Sequence, residues 1–360
     1  MRKRILVCLI FFSLVSFLAC NQISKTKYNK YTDSFFDTFD TVTVIMAYTK
    51  DKEDFDNYFN KIHERFRELH KLYDKYNNYD GVNNIKTIND YAGIKPIKVQ
   101  KEIMDLIIFS KDWHKKTTGL TNIALGPVLE IWHEYRTEGI ENPENAKIPP
   151  MEDLEEAFKN TNINKIILDI ENSTVFLADK QMRLDVGAVA KGFATEIVAQ
   201  EIMAQGMQSG IINAGGNVRT IGKPLDGKRE RWGIGIQNPN RPIFSDDPNL
   251  DVAFIRNSSM ANSGDYQRFY TVNNKILHHI INPKTLMPAS YYQAVTVVSE
   301  DSGLVDFLST EFFLLPYEES RALADRLDGV EVLWIIDEDT IEITPGMKKL
   351  LKNYGASDKK

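Results

Sequence analysis

Apolar residues change their spacing repeatedly along this chain, and each change marks a different element. Thr41 to Tyr48, TVTVIMAY, carries β-branched and apolar side chains at the density of a strand. Phe55, Phe59, Ile62, Phe66, Leu69 and Tyr73 then recur at spacings of three and four, which predicts a helix with one apolar face. A second helical pattern covers Glu102 to Lys116, with Gly119 as its stop. The Asn-, Glu- and Pro-rich stretch from Glu138 to Pro150 reads as a loop.

Farther along, KIILDI and STVFLA read as a hairpin pair, Ala190 to Gln205 as a helix, and GIIN as a strand running into the turn Ala214-Gly215-Gly216-Asn217. Short β-like pieces follow at WGIGIQ, DVAFIR, AVTVVS and EVLWII, interrupted by helical patterns at Leu304 to Phe313 and Tyr317 to Leu327. This mixture lacks the steady strand-helix repeat of a doubly wound fold. The expected class is α+β, with mixed helices and a largely antiparallel sheet.

At 360 residues, 42% hydrophobic and 26% charged, the chain has ample material for a core, so disorder is excluded. A net charge of -6 with scattered Lys and Arg gives no footprint for a nucleic acid. The N-terminus adds a compartment. Arg2, Lys3 and Arg4 precede an uncharged apolar run from Ile5 to Ala19, the pattern of an export signal and short for a spanning helix. Cys20 closes the run after the small Ala19 and is the expected lipid attachment site; the other cysteine, Cys8, lies within the signal. The expected location is therefore the outer face of the cytoplasmic membrane.

Four segments carry candidate chemistry. In DVGAVAKG, Asp185, Ala188 and Lys191 fall three apart at a helix start, where unpaired N–H groups suit a phosphate or pyrophosphate; the plain alternative is an N-cap and a surface lysine. In GLVDFLSTEFF, Asp306 and Thr310 stand four apart on one helical face, hard oxygen donors suited to Mg²⁺; the plain alternative is a helix-start Asp with an internally bonded Thr. In HHIINPKT, His279 is a candidate proton acceptor, with Asp265 of SGDYQRFY as its competitor.

Taken in order, DVGAVAKGFATE, INAGGN, WGIGIQNP, SGDYQR, HHIINPKT and VDFLST resemble the FAD:protein FMN transferases, the ApbE family. The resemblance implies the family's T-fold-like flavin transferase architecture. It also implies a reaction in which FAD is cleaved at its pyrophosphate, FMN is attached through a phosphoester to a threonine of an exported acceptor protein, and AMP is released with Mg²⁺ as the metal. Residue by residue it implies Asp306, Thr310 and the backbone oxygen of Ala188 as metal ligands. Asp185, Lys191 and Ile280 would be FAD contacts, with Phe39 and Tyr76 beside the flavin. Lys191 could assist the transfer electrostatically, and His279 or Asp265 would serve as base. The implied partners are FAD and an exported flavoprotein of respiratory or extracellular electron transfer.

The expected organisation is a signal peptide over 1–19, lipidated Cys20 with a polar tether over 20–34, the transferase domain over 35–346 and a tail over 347–360. Phe39-Asp40-Thr41 stands where many members read Met-Gly-Thr, Asn282 replaces an Asp, and Leu286 replaces a Gly. The competing readings are an FAD pyrophosphatase using the same residues with water as nucleophile, and a non-catalytic flavin-binding lipoprotein. Acceptors of this family resemble Asp-(Gly/Ala)-x-(Ser/Thr)-Gly-(Ala/Ser)-Thr. The nearest stretch, Thr118-Gly119-Leu120-Thr121, has Lys115 where the acid belongs, so the chain reads as the modifier and not the modified protein.

Overall fold

The computed structural model describes residues 27–359 apart from 243 and 267. The signal-like run and Cys20 lie outside the described residues. The chain opens on a hairpin of β1 (Asn29–Thr38) and β2 (Thr41–Thr49). Strand β1 begins inside the stretch expected to be tether up to residue 34, which corrects that boundary. Its side chains are mostly exposed, and only Phe35 and Thr38 are buried. The strand is held by backbone pairing from Asn29↔Thr49 to Thr38↔Thr41, and hydrophobic alternation could not have revealed it. At the tip, Phe39 (φ 54) and Asp40 (φ 49) both take the left-handed conformation, as the tight two-residue hairpin requires.

Helix α1 (Lys52–Tyr73) starts on Asp51, whose carboxylate accepts from the Asp54 N–H, and buries Phe55, Ile62, Phe66, Leu69, Leu72 and Tyr73 as its spacing predicts. Then come α2 (Ile85–Asp90), β3 (Ile97–Lys98), α3 (Lys101–Lys116), α4 (Gly126–Glu141) and α5 (Met151–Phe158). Helix α4 runs through Glu138 to Glu141, so the loop expected from Glu138 begins four residues later, at Asn142. Gly126, Pro127 and Gly139 lie among its buried positions and blur its apolar stripe. The hairpin β4 (Ile166–Asp169) and β5 (Thr174–Leu177) forms as expected, with β3 added along β5.

The remaining elements are α6 (Ala190–Ala204), β6 (Gly210–Ala214), β7 (Asn217–Ile221), β8 (Trp232–Gln237), β9 (Asn249–Ile255), β10 (Ser259–Gly264), β11 (Phe269–Val272), β12 (Lys275–His278) and β13 (Ala294–Ser299). They end with α7 (Ser302–Phe313), α8 (Tyr317–Ala324), β14 (Glu331–Ile335), β15 (Ile341–Ile343) and α9 (Pro345–Lys348). Eight strands form one antiparallel sheet in the order β1-β2-β6-β7-β10-β13-β14-β15.

Both faces of this sheet are covered, which explains the near-continuous apolar runs of its central strands. On β13, Val295 and Val297 join the main core with α1, α6 and α7. Ala294 and Val298 point to a second core under the β8–β9 hairpin. Met347 and Leu351 are buried in that second core, and the Asp358 carbonyl accepts from the N–H groups of Glu230 and Arg231. The segment set apart as a tail is thus packed structure. A third core joins α4 and α5 to the β11–β12 hairpin through Trp132, Leu154, Tyr270 and Leu277.

Candidate active site

A cleft of about 520 Å³ opens among α1, α4, the start of α6, α7 and the ends of β2, β6 and β10. That volume suits a small-molecule site. Its lining includes Phe39, Tyr76, Asp185, Ala188, Lys191, His279, Ile280, Asp306 and Thr310, so residues spread over more than 270 positions converge on one cavity. Asp265 is not among the lining residues, although its neighbours Ser263 and Gly264 are. Burial pushes the Asp265 carboxyl up to about 6.

The DVGAVAKG segment differs from its expected form. Helix α6 begins at Ala190, and Asp185 lies five residues before it instead of capping it. One Asp185 oxygen accepts from the Gly187 N–H (2.9 Å), which shapes the turn, and the other pairs with Lys75 Nζ (2.6 Å). Burial opposes the charge on Asp185, but Lys75 and the Gly187 N–H outweigh it and hold the carboxyl below the usual range. Lys75 is correspondingly raised: burial lowers it, and Asp185 more than compensates.

Gly192 ties this segment to α7. Its N–H, which would ordinarily satisfy the Ala188 carbonyl one helical turn back, donates instead to Asp306 Oδ2 at 2.8 Å. A Cβ at this position would stand 2.2 Å from the Ser302 carbonyl oxygen and 2.4 Å from Asp306 Cβ, so only glycine permits this crossing of α6 and α7. The consequence is chemical. The Ala188 carbonyl is left without that helical donor, and Ala188 lines the same cleft as Asp306 and Thr310, so one carbonyl, one carboxylate and one hydroxyl, all hard oxygen donors, are offered to it. The set fits a small divalent cation that completes its shell with water and substrate oxygens.

Behind α7 the buried Glu311 carboxylate accepts from the N–H groups of Thr118 (2.9 Å) and Thr121 (2.6 Å) and from Thr118 Oγ1 (2.6 Å). This fixes the 117–125 loop, which supplies Leu120, Thr121, Asn122 and Leu125 to the cleft. Thr118 is thereby committed to structure. Across the cleft, Gly215 (φ 58) brings the β6–β7 turn against Thr41, whose Oγ1 would lie 2.2 Å from any added Cβ.

His279 faces the same space. Its Nδ1 is buried without a hydrogen-bond partner among the described residues. Burial, then the charges of Arg268, His278, Arg136 and Lys191, push the imidazole down to about 3. It is therefore neutral at physiological pH and able to accept a proton.

Sequence reasoning missed several lining residues: Lys75, His70, His133, Arg136 and Arg268. His70 Nδ1 accepts from the Phe39 N–H (3.2 Å) and so steadies the left-handed hairpin tip. His133 Nδ1 accepts from Arg136 Nη2 (2.9 Å), and the His133 ring lies 5.5 Å from that of Tyr76. A stripe at Leu129, Trp132, His133 and Arg136 on α4, spaced as one helical face, is the signal that could have found His133 and Arg136; His70, Lys75 and Arg268 carry no such pattern. The two Gly-replacing departures explain themselves differently. Leu286 (φ 59) is buried, and its carbonyl accepts from Trp132 Nε1 (2.9 Å), whereas Asp40 sits at the exposed hairpin tip.

Known proteins resemble the chain as a whole. The FAD:protein FMN transferase of Treponema pallidum is 29% identical over 73% of this chain and 73% of its own length. That of Haemophilus influenzae is 30% identical over 69% of this chain and 70% of its own. The crystal structure of the ApbE protein of Thermotoga maritima superposes with a TM-score of 0.76 at 27% identity, covering 90% of this chain and 99% of that one. The ApbE family model matches residues 36–334, and the chain belongs to the ApbE family.

Proposed function

We propose that the protein is a transferase that cleaves FAD and attaches FMN through a phosphoester to a threonine of another exported protein, releasing AMP. The observation that supports this reading is the diversion of the Gly192 N–H to Asp306, which frees the Ala188 carbonyl of its usual helical donor in the cleft that Asp306 and Thr310 also line. Mg²⁺ held there would neutralise pyrophosphate charge.

The chain's own residues supply the rest. Lys191, on the first turn of α6, lines the same wall and stabilises negative charge on the departing AMP phosphate. Neutral His279 takes the proton of the acceptor hydroxyl as the oxygen forms its bond to the FMN phosphorus and the bond from that phosphorus to the AMP oxygen breaks. A pyrophosphate bound beside Lys191 would offset part of the cationic contribution that depresses His279, while burial, the larger cause, stays in place. Phe39 and the half-exposed Tyr76 offer aromatic surface for the flavin at the cleft edge. Lys75 fixes Asp185 for a polar contact to FAD.

Export and lipidation at Cys20 belong to the same proposal, supported by the basic residues at 2–4 and the apolar run ending at Ala19. The test combines mature protein, FAD, Mg²⁺ and exported proteins of the same cell, followed by denaturing electrophoresis for fluorescent bands. Labelled bands are expected with wild type and none with Asp306→Ala. Stoichiometric AMP release without an acceptor would make the protein a pyrophosphatase instead. Full labelling by Asp306→Ala would refute the metal assignment.

A further inference from the structure

We infer that His70 is a flavin-recognition residue that donates its Nε2–H to a carbonyl oxygen of the isoalloxazine ring. This rests on the transferase reading and adds to it a residue of this chain that selects the flavin half of the dinucleotide. His70 stands in the last turn of α1 and lines the cleft. Its Nδ1 accepts from the Phe39 N–H at 3.2 Å, and its ring meets that of Phe39 edge-on, with the centroids 5.5 Å apart.

The backbone contact fixes the tautomer. An imidazole nitrogen that accepts an N–H carries no proton, so the ring proton of His70 sits on Nε2. Turning the ring over would set a carbon against the Phe39 N–H and cost that group its acceptor. Nε2 itself has no hydrogen-bond partner among the described residues, although four carboxylates line the same cleft. Asp74 holds the turn after α1, Asp185 is paired with Lys75, and Asp306 accepts from the Gly192 N–H. Asp40, at the exposed hairpin tip, makes no hydrogen bond to the ring among the described residues. The protein thus holds one N–H donor in a set orientation at the cleft and leaves it to a ligand.

Its place says which part of the ligand it meets. The pyrophosphate belongs with Lys191 and Asp306, whereas His70 touches Phe39, which offers aromatic surface to the flavin. An isoalloxazine carries its carbonyl oxygens on the pyrimidine ring, and the dimethylbenzene ring has no comparable acceptor. A single N–H beside the aromatic wall therefore both holds the flavin and sets which edge turns inward. The same contact explains a double use of one side chain: Nδ1 supports the left-handed backbone at Phe39, and Nε2 reads the ring that Phe39 packs against.

The experiment compares FAD with ADP, which carries the adenosine and pyrophosphate without the flavin. FAD binding is read from flavin fluorescence and ADP binding from its displacement of FAD, both with Mg²⁺ present. His70→Asn keeps an oxygen near the Nδ1 position for the Phe39 N–H and removes the distal donor. It should weaken FAD by about five- to tenfold and shift ADP by about twofold or less. His70→Gln, whose longer side chain carries an amide N–H toward the Nε2 position, should recover part of the FAD affinity, and His70→Leu, which loses both contacts, should lose at least as much as His70→Asn. Retained ADP binding also establishes that each variant folds. FAD binding by His70→Asn equal to wild type would overturn the inference and leave His70 as a support for Phe39 alone. Equal losses for FAD and ADP, or a His70→Gln variant no better than His70→Leu, would overturn it as well. Wild-type protein that does not bind FAD would remove the transferase reading and this inference with it; FAD binding indifferent to His70→Asn would remove this inference alone.

Discussion

Gly192→Ala exposes how closely packing and chemistry are joined in this fold. The added methyl would stand 2.2 Å from the Ser302 carbonyl oxygen and 2.4 Å from Asp306 Cβ. Ordinary contact begins near 3.5 Å, so α6 and α7 must part by about 1 Å. Alanine gains about 1 kcal/mol in helix propensity, whereas overpacking costs about 1–3 kcal/mol. The net loss of stability is therefore small, at most about 2 kcal/mol, and Tm should fall by only a few degrees. The functional loss should be much larger. Asp306 is anchored by the Gly192 N–H, and displacing a site group by about 1 Å can cost about 100-fold in rate. The assay pairs a thermal melt with the initial rate of covalent FMN transfer at saturating FAD and Mg²⁺. A variant with wild-type melting and more than half the wild-type rate would refute the reasoning.

Three further outcomes follow from the same geometry. In wild type the depressed Asp185 carboxyl contributes stability above the unfolded pKa near 4, lost as pH falls through the lower folded value. In Lys75→Met burial is opposed mainly by the Gly187 N–H, without the paired ammonium, so stability should drop by about 3–5 kcal/mol at pH 7 and recover toward pH 4; an equal loss at both pH values in chemical denaturation would exclude the pair as the cause. Asp265, raised to about 6, has the opposite sign: it costs stability as pH rises from about 4 to 6. Asp265→Asn should stabilise by up to about 1 kcal/mol at pH 7 after allowance for solvent screening, with no gain at pH 4, and near-normal transfer; a loss of transfer would restore Asp265 as the base. Asn282 is buried, and its Nδ2 donates to the Leu314 carbonyl (3.2 Å). Asn282→Asp removes that donor and should cost about 1–3 kcal/mol in urea unfolding, although the family commonly reads Asp there; unchanged stability would show that the bond carries nothing.

The elements most legible in the sequence were those whose side chains do the burying. Helix α1 carries its core on a regular stripe, and β13 and β14 are apolar because both faces of the sheet are covered. Strand β1 was illegible because it is held by backbone pairing, and α4 because Gly and Pro interrupt its stripe. The site divides in the same way. Ala188, Lys191, Asp306 and Thr310 stand in compact motifs, whereas Lys75, Arg136 and Arg268 come from separate segments that only the tertiary fold brings beside Asp185 and His279. Asp185 was found, but not its ion pair, since a partner 110 positions away leaves no local pattern.

The direction in which β1 enters the sheet has a practical side. Asn29 pairs with Thr49 at one end of the hairpin, while Phe39 and Asp40 line the cleft at the other, a ten-residue strand or roughly 30 Å away. Whatever precedes Asn29 is attached at the end remote from the cleft. Affinity tags, surface immobilisation or fluorescent labels are therefore best placed there, where they leave the mouth open to a large protein acceptor.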